Sequence, residues 1–147
     1  MFDSIVVGTD GSTTAGEAVR QAIELAKNLK ASIHLVSAYE AVPQGRLRDE
    51  RQQVPDDIQW MINPREDVDG TLKEAAESIE KDGVEVKIYA REGDPADAIL
   101  DVAEEENADL IVVGNKGMTG AKRFLLGSVP NKVSHHAPCS VMIIRTT

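Results

Sequence analysis

The chain has a single cysteine, Cys139, in 147 residues, so it can build neither a disulfide framework nor a thiolate metal cluster. Aromatic residues make up 3% of it, and neither the first turn nor the glycine loop has aromatics placed to sandwich a flavin ring. Positive charge is also scarce: 16 Lys and Arg stand against 25 Asp and Glu, a net charge of −9. A surface of that sign lacks the basic footprint by which nucleic acids and anionic membranes are held. It does not exclude a nucleotide, whose phosphates can be met locally by backbone donors and one lysine. No apolar run approaches the ~20 residues of a membrane span. The opening Met1-Phe2-Asp3-Ser4 has no basic stretch of the signal-peptide kind, so the expected address is the cytoplasm. Two phosphate signatures are missing as well. Gly-x4-Gly-Lys-Ser/Thr does not occur, and no Gly-x-Gly-x-x-Gly follows the first apolar run.

What remains, at 41% hydrophobic and 28% charged, is an ordinary globular composition, long enough for one domain over residues 1–147. Short β-rich runs recur along it: Ser4 to Thr9, residues 32–38, Val84 to Tyr89, Leu110 to Val113 and Val141 to Ile144. Leu110 to Val113 is uninterrupted and apolar, as a strand covered on both faces would be. Val84 to Tyr89 alternates by two, as near a sheet edge. Helical stripes lie between the strands. Ala15, Ala18, Val19, Ala22, Ala26 and Leu29 form one, preceded by Ser12 or Thr14 as N-cap, the latter at capping-box spacing from Glu17. Val68, Leu72, Ala75, Ala76 and Ile79 form another, with Gly83 placed to end it. Asp94-Pro95 reads as an N-cap with proline at the first helical position, ahead of Ile99, Val102 and Ala103. A last short helix starts at Ser128 and stops before Pro138. Residues 40–64, with Pro43, Pro55 and Pro64, read as a long connection ending in a short helical piece.

This β-α alternation predicts a five-stranded parallel α/β sheet with helices on both faces, in strand order 3-2-1-4-5. Ligands of such sheets bind beyond the carboxyl ends of the strands at the switch point, here strands 1 and 4. Those ends are Gly8-Thr9-Asp10-Gly11 and Gly114-Asn115-Lys116-Gly117. The second begins a Gly-x2-Gly-x9-Gly-Ser stretch through Gly114, Gly117, Gly127 and Ser128. Glycine lets backbone N–H groups approach an anion closely, and a helix N-terminus supplies aligned donors and partial positive charge. Ser128 offers a hydroxyl there and Val129 an N–H, while Lys116 adds charge near the phosphates. Without a ligand the same glycines would be tight turns, and Asp10 would cap the Asp10-Gly11-Ser12 turn.

Taken together, this stretch and the strand pattern resemble the universal stress protein family, in its ATP-binding branch. The resemblance spans nearly the whole chain. It includes Val7 to Ser12, Ala31 to Ala38, Gly127-Ser128-Val129 and His136 to Cys139. It implies a Rossmann- or flavodoxin-like sandwich of the adenine nucleotide alpha hydrolase type. Gly114, Gly117, Gly127 and Ser128 would hold the triphosphate of ATP, with ADP or AMP as alternatives. Asp10 would reach the nucleoside, with Thr9 on the same wall, Ala38 at the adenine edge by its backbone, and Val113 as a lining residue. Mg²⁺ would be carried by the phosphates rather than by a carboxylate cage. The resemblance also implies a homodimer through the last strand, Val141, Met142, Ile143 and Ile144, whose edge would otherwise be covered by a loop.

No catalytic base can be assigned, so the expected role is a nucleotide-dependent stress-response sensor or regulator of another protein. The alternative is a slow ATPase or a self-phosphorylating enzyme at the same site. Other polar residues read as structural. His135 and His136 are adjacent and have no third ligand at metal spacing. Cys139 has no activating neighbour, and Glu104 to Glu106 form a solvated face. Lys122 and Arg123 either approach the phosphates or decorate a loop. Pro130 removes one N–H from the last helix's first turn, where donors are unpaired anyway.

Overall fold

The structure, a computed structural model, describes residues 2–10, 13–39, 65–115 and 128–145. The reading of 40–64 therefore lies outside the described residues, as do Ser12 and the loop positions 116–127. Five strands, β1 (Ser4–Gly8), β2 (Ser32–Tyr39), β3 (Val86–Glu92), β4 (Leu110–Gly114) and β5 (Ser140–Ile144), form one sheet in the order β3-β2-β1-β4-β5. Every pairing is parallel, as the strand alternation predicts. Helices α1 (Thr13–Leu29), α2 (Arg65–Lys81), α3 (Pro95–Glu105) and α4 (Ser128–His136) lie between them in sequence.

Because side chains alternate along a strand, each central strand divides its residues between two cores. Ile5, Val7, Ile33, Leu35, Leu110 and Val112 pack with Val19, Ala22, Ile23 and Ala26 of α1 and with Val68, Leu72 and Ile79 of α2. Val6, Val36, Ile111 and Val113 pack on the other face with Ile99, Val102 and Ala103 of α3 and with Val129 and Val133 of α4. Burial on both faces accounts for the unbroken apolar runs of β1 and β4. No described helix is long and apolar enough to cross a membrane.

The chain between helix and strand departs from the expectation in two places. The strand read from Val84 begins instead at Val86 and continues to Glu92. Val84 belongs to the end of α2: its N–H donates to the Ile79 carbonyl at 3.4 Å, while Gly83 N–H donates to Glu80 at 2.9 Å. That bond pair, with Gly83 at φ +80°, is a Schellman cap, and buried Val84 supplies its apolar contact with Ile79. The Thr14–Glu17 spacing also does not fall at the start of the helix. Helix α1 already includes Thr13, so Thr14 is inside it, and the Glu17 carboxylate is taken by Arg20 at 2.6 Å and Gln21 at 3.2 Å. The Asp94 cap is as expected: its carboxylate accepts from Asp97 N–H at 3.1 Å with Pro95 at the first helical position.

Candidate functional site

The adjacent carboxyl ends of β1 and β4 frame the predicted crevice. Past Gly8, the Thr9 N–H donates to the Val36 carbonyl at 2.9 Å, extending the pairing with β2 by one residue. Thr9 is consequently buried, and Asp10, the next residue, is partly exposed at the rim. On β4, Val113 is buried and Gly114 ends the strand. The following Asn115 is held by its N–H to the Ile144 carbonyl of β5 at 2.8 Å. Ala38 sits near the end of β2, partly buried against the same core cluster as Val113 and Val129.

Helix α4 begins at this same end of the sheet. Lys132, one turn into α4, reaches Asp94 just beyond the end of β3, with Nζ 3.3 Å from Asp94 Oδ2 and 2.9 Å from Asp97 Oδ1. Ser128 is therefore an exposed hydroxyl at a helix N-terminus on the carboxyl side of the sheet, and Val129 beside it is buried. Pro130 is accommodated in the first turn and buried. Thr9, Asp10, Ala38, Val113, Gly114, Ser128 and Val129 thus all lie toward the carboxyl end of the sheet. Lys116, Gly117 and Gly127 lie outside the described residues, as do Lys122 and Arg123.

Chemically, such an arrangement suits an anion that also carries hydroxyl groups. Helix donors and their partial charge meet the anion, and a carboxylate on the neighbouring strand can accept from hydroxyl groups. Among the described residues, no three His, Cys, Asp or Glu side chains cluster as metal ligands would. His135 and His136 are both exposed, their rings 6.5 Å apart. Cys139 is half-buried, and burial pushes its thiol above the ordinary range. A groove of about 600 Å³ lies at the opposite, amino end of the sheet, lined by Asp3, Lys27, Lys30, Asp82 and Glu85 among others. Those charged side chains are all exposed and of mixed sign, so nothing there converges on a ligand.

One polar network has no counterpart in the reading of the sequence. His34 is buried on β2, with Nδ1 3.0 Å from the Tyr89 hydroxyl on β3. Burial lowers the pKa of His34, and burial with Glu106 pushes that of Tyr89 up to about 12. Arg91 lies 5.6 Å from the Tyr89 ring centre and grips Glu105 through two hydrogen bonds, of 3.1 and 2.6 Å. Glu105 and Glu106 are thus engaged with β3 rather than merely solvated. The available signal was a histidine at an inward position between Ile33 and Leu35.

Comparison with known proteins agrees with this architecture. The family model described as "Universal stress protein family" matches residues 1–145. A universal stress protein of Methanocaldococcus jannaschii is 33% identical, over 99% of this chain and 83% of its own length. The universal stress protein YxiE of Bacillus subtilis is 34% identical, over 99% of this chain and all of its own. Among solved structures, a universal stress protein in complex with cAMP superposes with a TM-score of 0.72 at 28% identity. That superposition covers 99% of this chain and 98% of the other.

Proposed function

The chain belongs to the universal stress protein family, and on that premise we propose that it binds an adenine nucleotide, ATP in the first instance, between the ends of β1 and β4. The observation that supports this reading is that α4 starts, with Ser128 and Val129, toward the carboxyl end of the sheet, the end at which neighbouring β1 and β4 lead into Thr9-Asp10 and Gly114. The 28% identical structure complexed with cAMP supports the ligand class. In this reading Gly114, Lys116, Gly117, Gly127, Ser128 and Val129 hold the phosphates. Thr9, Asp10, Ala38 and Val113 form the nucleoside wall. Mg²⁺ arrives on the phosphates.

The nucleotide serves a cytoplasmic homodimer as a signal, changing what a regulated partner protein meets. Turnover is not required of it: cradling ground-state phosphates lowers no barrier. The competing reading, a slow ATPase or self-phosphorylating enzyme, would make the exposed Ser128 hydroxyl an acceptor.

The test is to denature freshly purified protein, identify released nucleotide by mass spectrometry, and titrate the emptied protein with ATP, ADP, AMP and cAMP by calorimetry. ATP is expected to bind in the presence of Mg²⁺, with affinity falling on Ser128→Ala. No released nucleotide and no heat with any of the four would overturn the reading. Phosphate release well above background and abolished by Ser128→Ala would favour the enzyme instead.

A further inference from the structure

We propose that Lys132 is a positioning residue for the phosphate-facing end of α4, a role that rests on the nucleotide-binding reading above. Lys132 does not itself present a free charge to a ligand, because two carboxylates already hold its ammonium: Asp94 at 3.3 Å and Asp97 at 2.9 Å. What those contacts do is orient the helix. Val129 and Val133 press α4 onto the core, but apolar contact is non-directional and leaves the rotation of a helix of only 9 residues loosely defined. Charge-assisted hydrogen bonds are directional, and here two of them converge on one side chain a turn from Ser128.

The acceptors are themselves anchored. Asp94 Oδ2 also takes the Asp97 N–H, so the carboxylate that caps α3 is the one that receives Lys132. One residue earlier, Gly93 N–H donates to the Tyr39 carbonyl at 2.9 Å, next to Ala38. A short bonded path therefore runs from Tyr39, the chain neighbour of Ala38 in the proposed nucleoside wall, through Gly93-Asp94, to Lys132 one turn into α4. It sets the distance between the wall that would meet the nucleoside and the donors that would meet the phosphates. Both ends must be in register for a nucleotide to engage them together.

The experiment compares ATP binding by calorimetry, and adenosine by competition against ATP, in wild type, Lys132→Met and Asp97→Asn. Thermal midpoints are recorded alongside. Lys132→Met keeps an apolar stem and is expected to weaken ATP about three- to fivefold, the scale of a partly exposed ion pair. Adenosine affinity should be unchanged, because adenosine has no phosphate to reach α4. Asp97→Asn separates positioning from bulk charge. Removing a carboxylate near an anion would tighten ATP binding if charge alone mattered, whereas loss of the clip weakens it.

Weaker ATP binding in both variants, with adenosine unaffected, supports the role. Unchanged ATP affinity in Lys132→Met, equal losses for ATP and adenosine, or tighter binding in Asp97→Asn each overturn it while leaving the nucleotide reading standing. Adenosine that fails to compete in wild type overturns it too, since there is then no separate nucleoside wall. A wild-type protein that binds neither ligand overturns both. Should Lys132→Met not fold, Asp97→Asn decides the question by the direction of its effect.

Discussion

At Gly8, the last residue of β1, an added Cβ would lie 2.5 Å from Ile99 Cδ1 and 3.2 Å from Ile99 Cγ1. Glycine is needed there because α3 packs against the backbone itself, directly before Thr9 and Asp10. Ile99 is fully buried and has little room to retreat. Gly8→Ala is expected to cost about 1–3 kcal/mol in urea denaturation, the range for overpacking a core. Ile99→Val removes the offending Cδ1, so the double variant should recover part of that loss. Strictly additive penalties would show that Ile99 is not the obstacle. Other single residues announced themselves in the sequence. Asp94-Pro95 was legible as a cap because its chemistry is local, whereas the Gly8 constraint depends on an atom 91 positions away and was not.

Among elements, three described helices end the same way with three different residues at the turn. Gly83 ends α2, and Lys30 and Asn107 adopt left-handed conformations, φ +56° and +51°, after α1 and α3. In each case the following residue's N–H reaches back to the helix: Ala31 to Ala26, Val84 to Ile79, and Ala108 to Ala103. Glycine signals such a stop in a sequence and asparagine tolerates it, but lysine does neither, so only the apolar stripe ending at Leu29, and no cap residue, marked the end of α1. Lys30 is exposed and carries the steric cost of a Cβ in that conformation. Lys30→Gly is therefore expected to stabilise the protein by about 0.5–1 kcal/mol, while Lys30→Ala gives no such gain. Equal urea midpoints for the glycine and alanine variants would refute this. The late start of β3 has the same origin, since Val84 is spent on a helix cap before the strand can begin.

For the molecule as a whole, the two sheet edges differ in the side chains they carry. At one edge, β3 carries Lys87, Arg91 and Glu92, and Arg91 is strapped to Glu105 on α3. At the other, β5 offers Val141, Met142, Ile143 and Ile144 in succession, with Ile143 37% exposed and charge arriving only at Arg145. An apolar edge favours pairing, and charged side chains oppose it. The proposed homodimer is accordingly expected through β5. Sedimentation equilibrium should give a dimer that Ile143→Lys converts to monomer with an unchanged circular dichroism spectrum. Because each copy carries a net charge of −9, association should strengthen as salt rises. A wild-type monomer at every salt concentration would remove the dimer from the account.

Strand order, helix faces and the adjacency of β1 and β4 all followed from the sequence, because apolar periodicity and right-handed crossovers leave a βα chain few ways to bury its surface. The start of α4 at Ser128 followed too, since a glycine-serine pair ahead of a helix is a local pattern. What only the tertiary structure decided were relations between distant side chains. These are the Ile99 contact that requires Gly8, the His34–Tyr89 pair under α3, and the Lys132 clip that joins α4 to the cap of α3. No periodicity encodes them. They exist because close packing brings particular atoms within hydrogen-bonding or contact distance after the backbone has chosen its path.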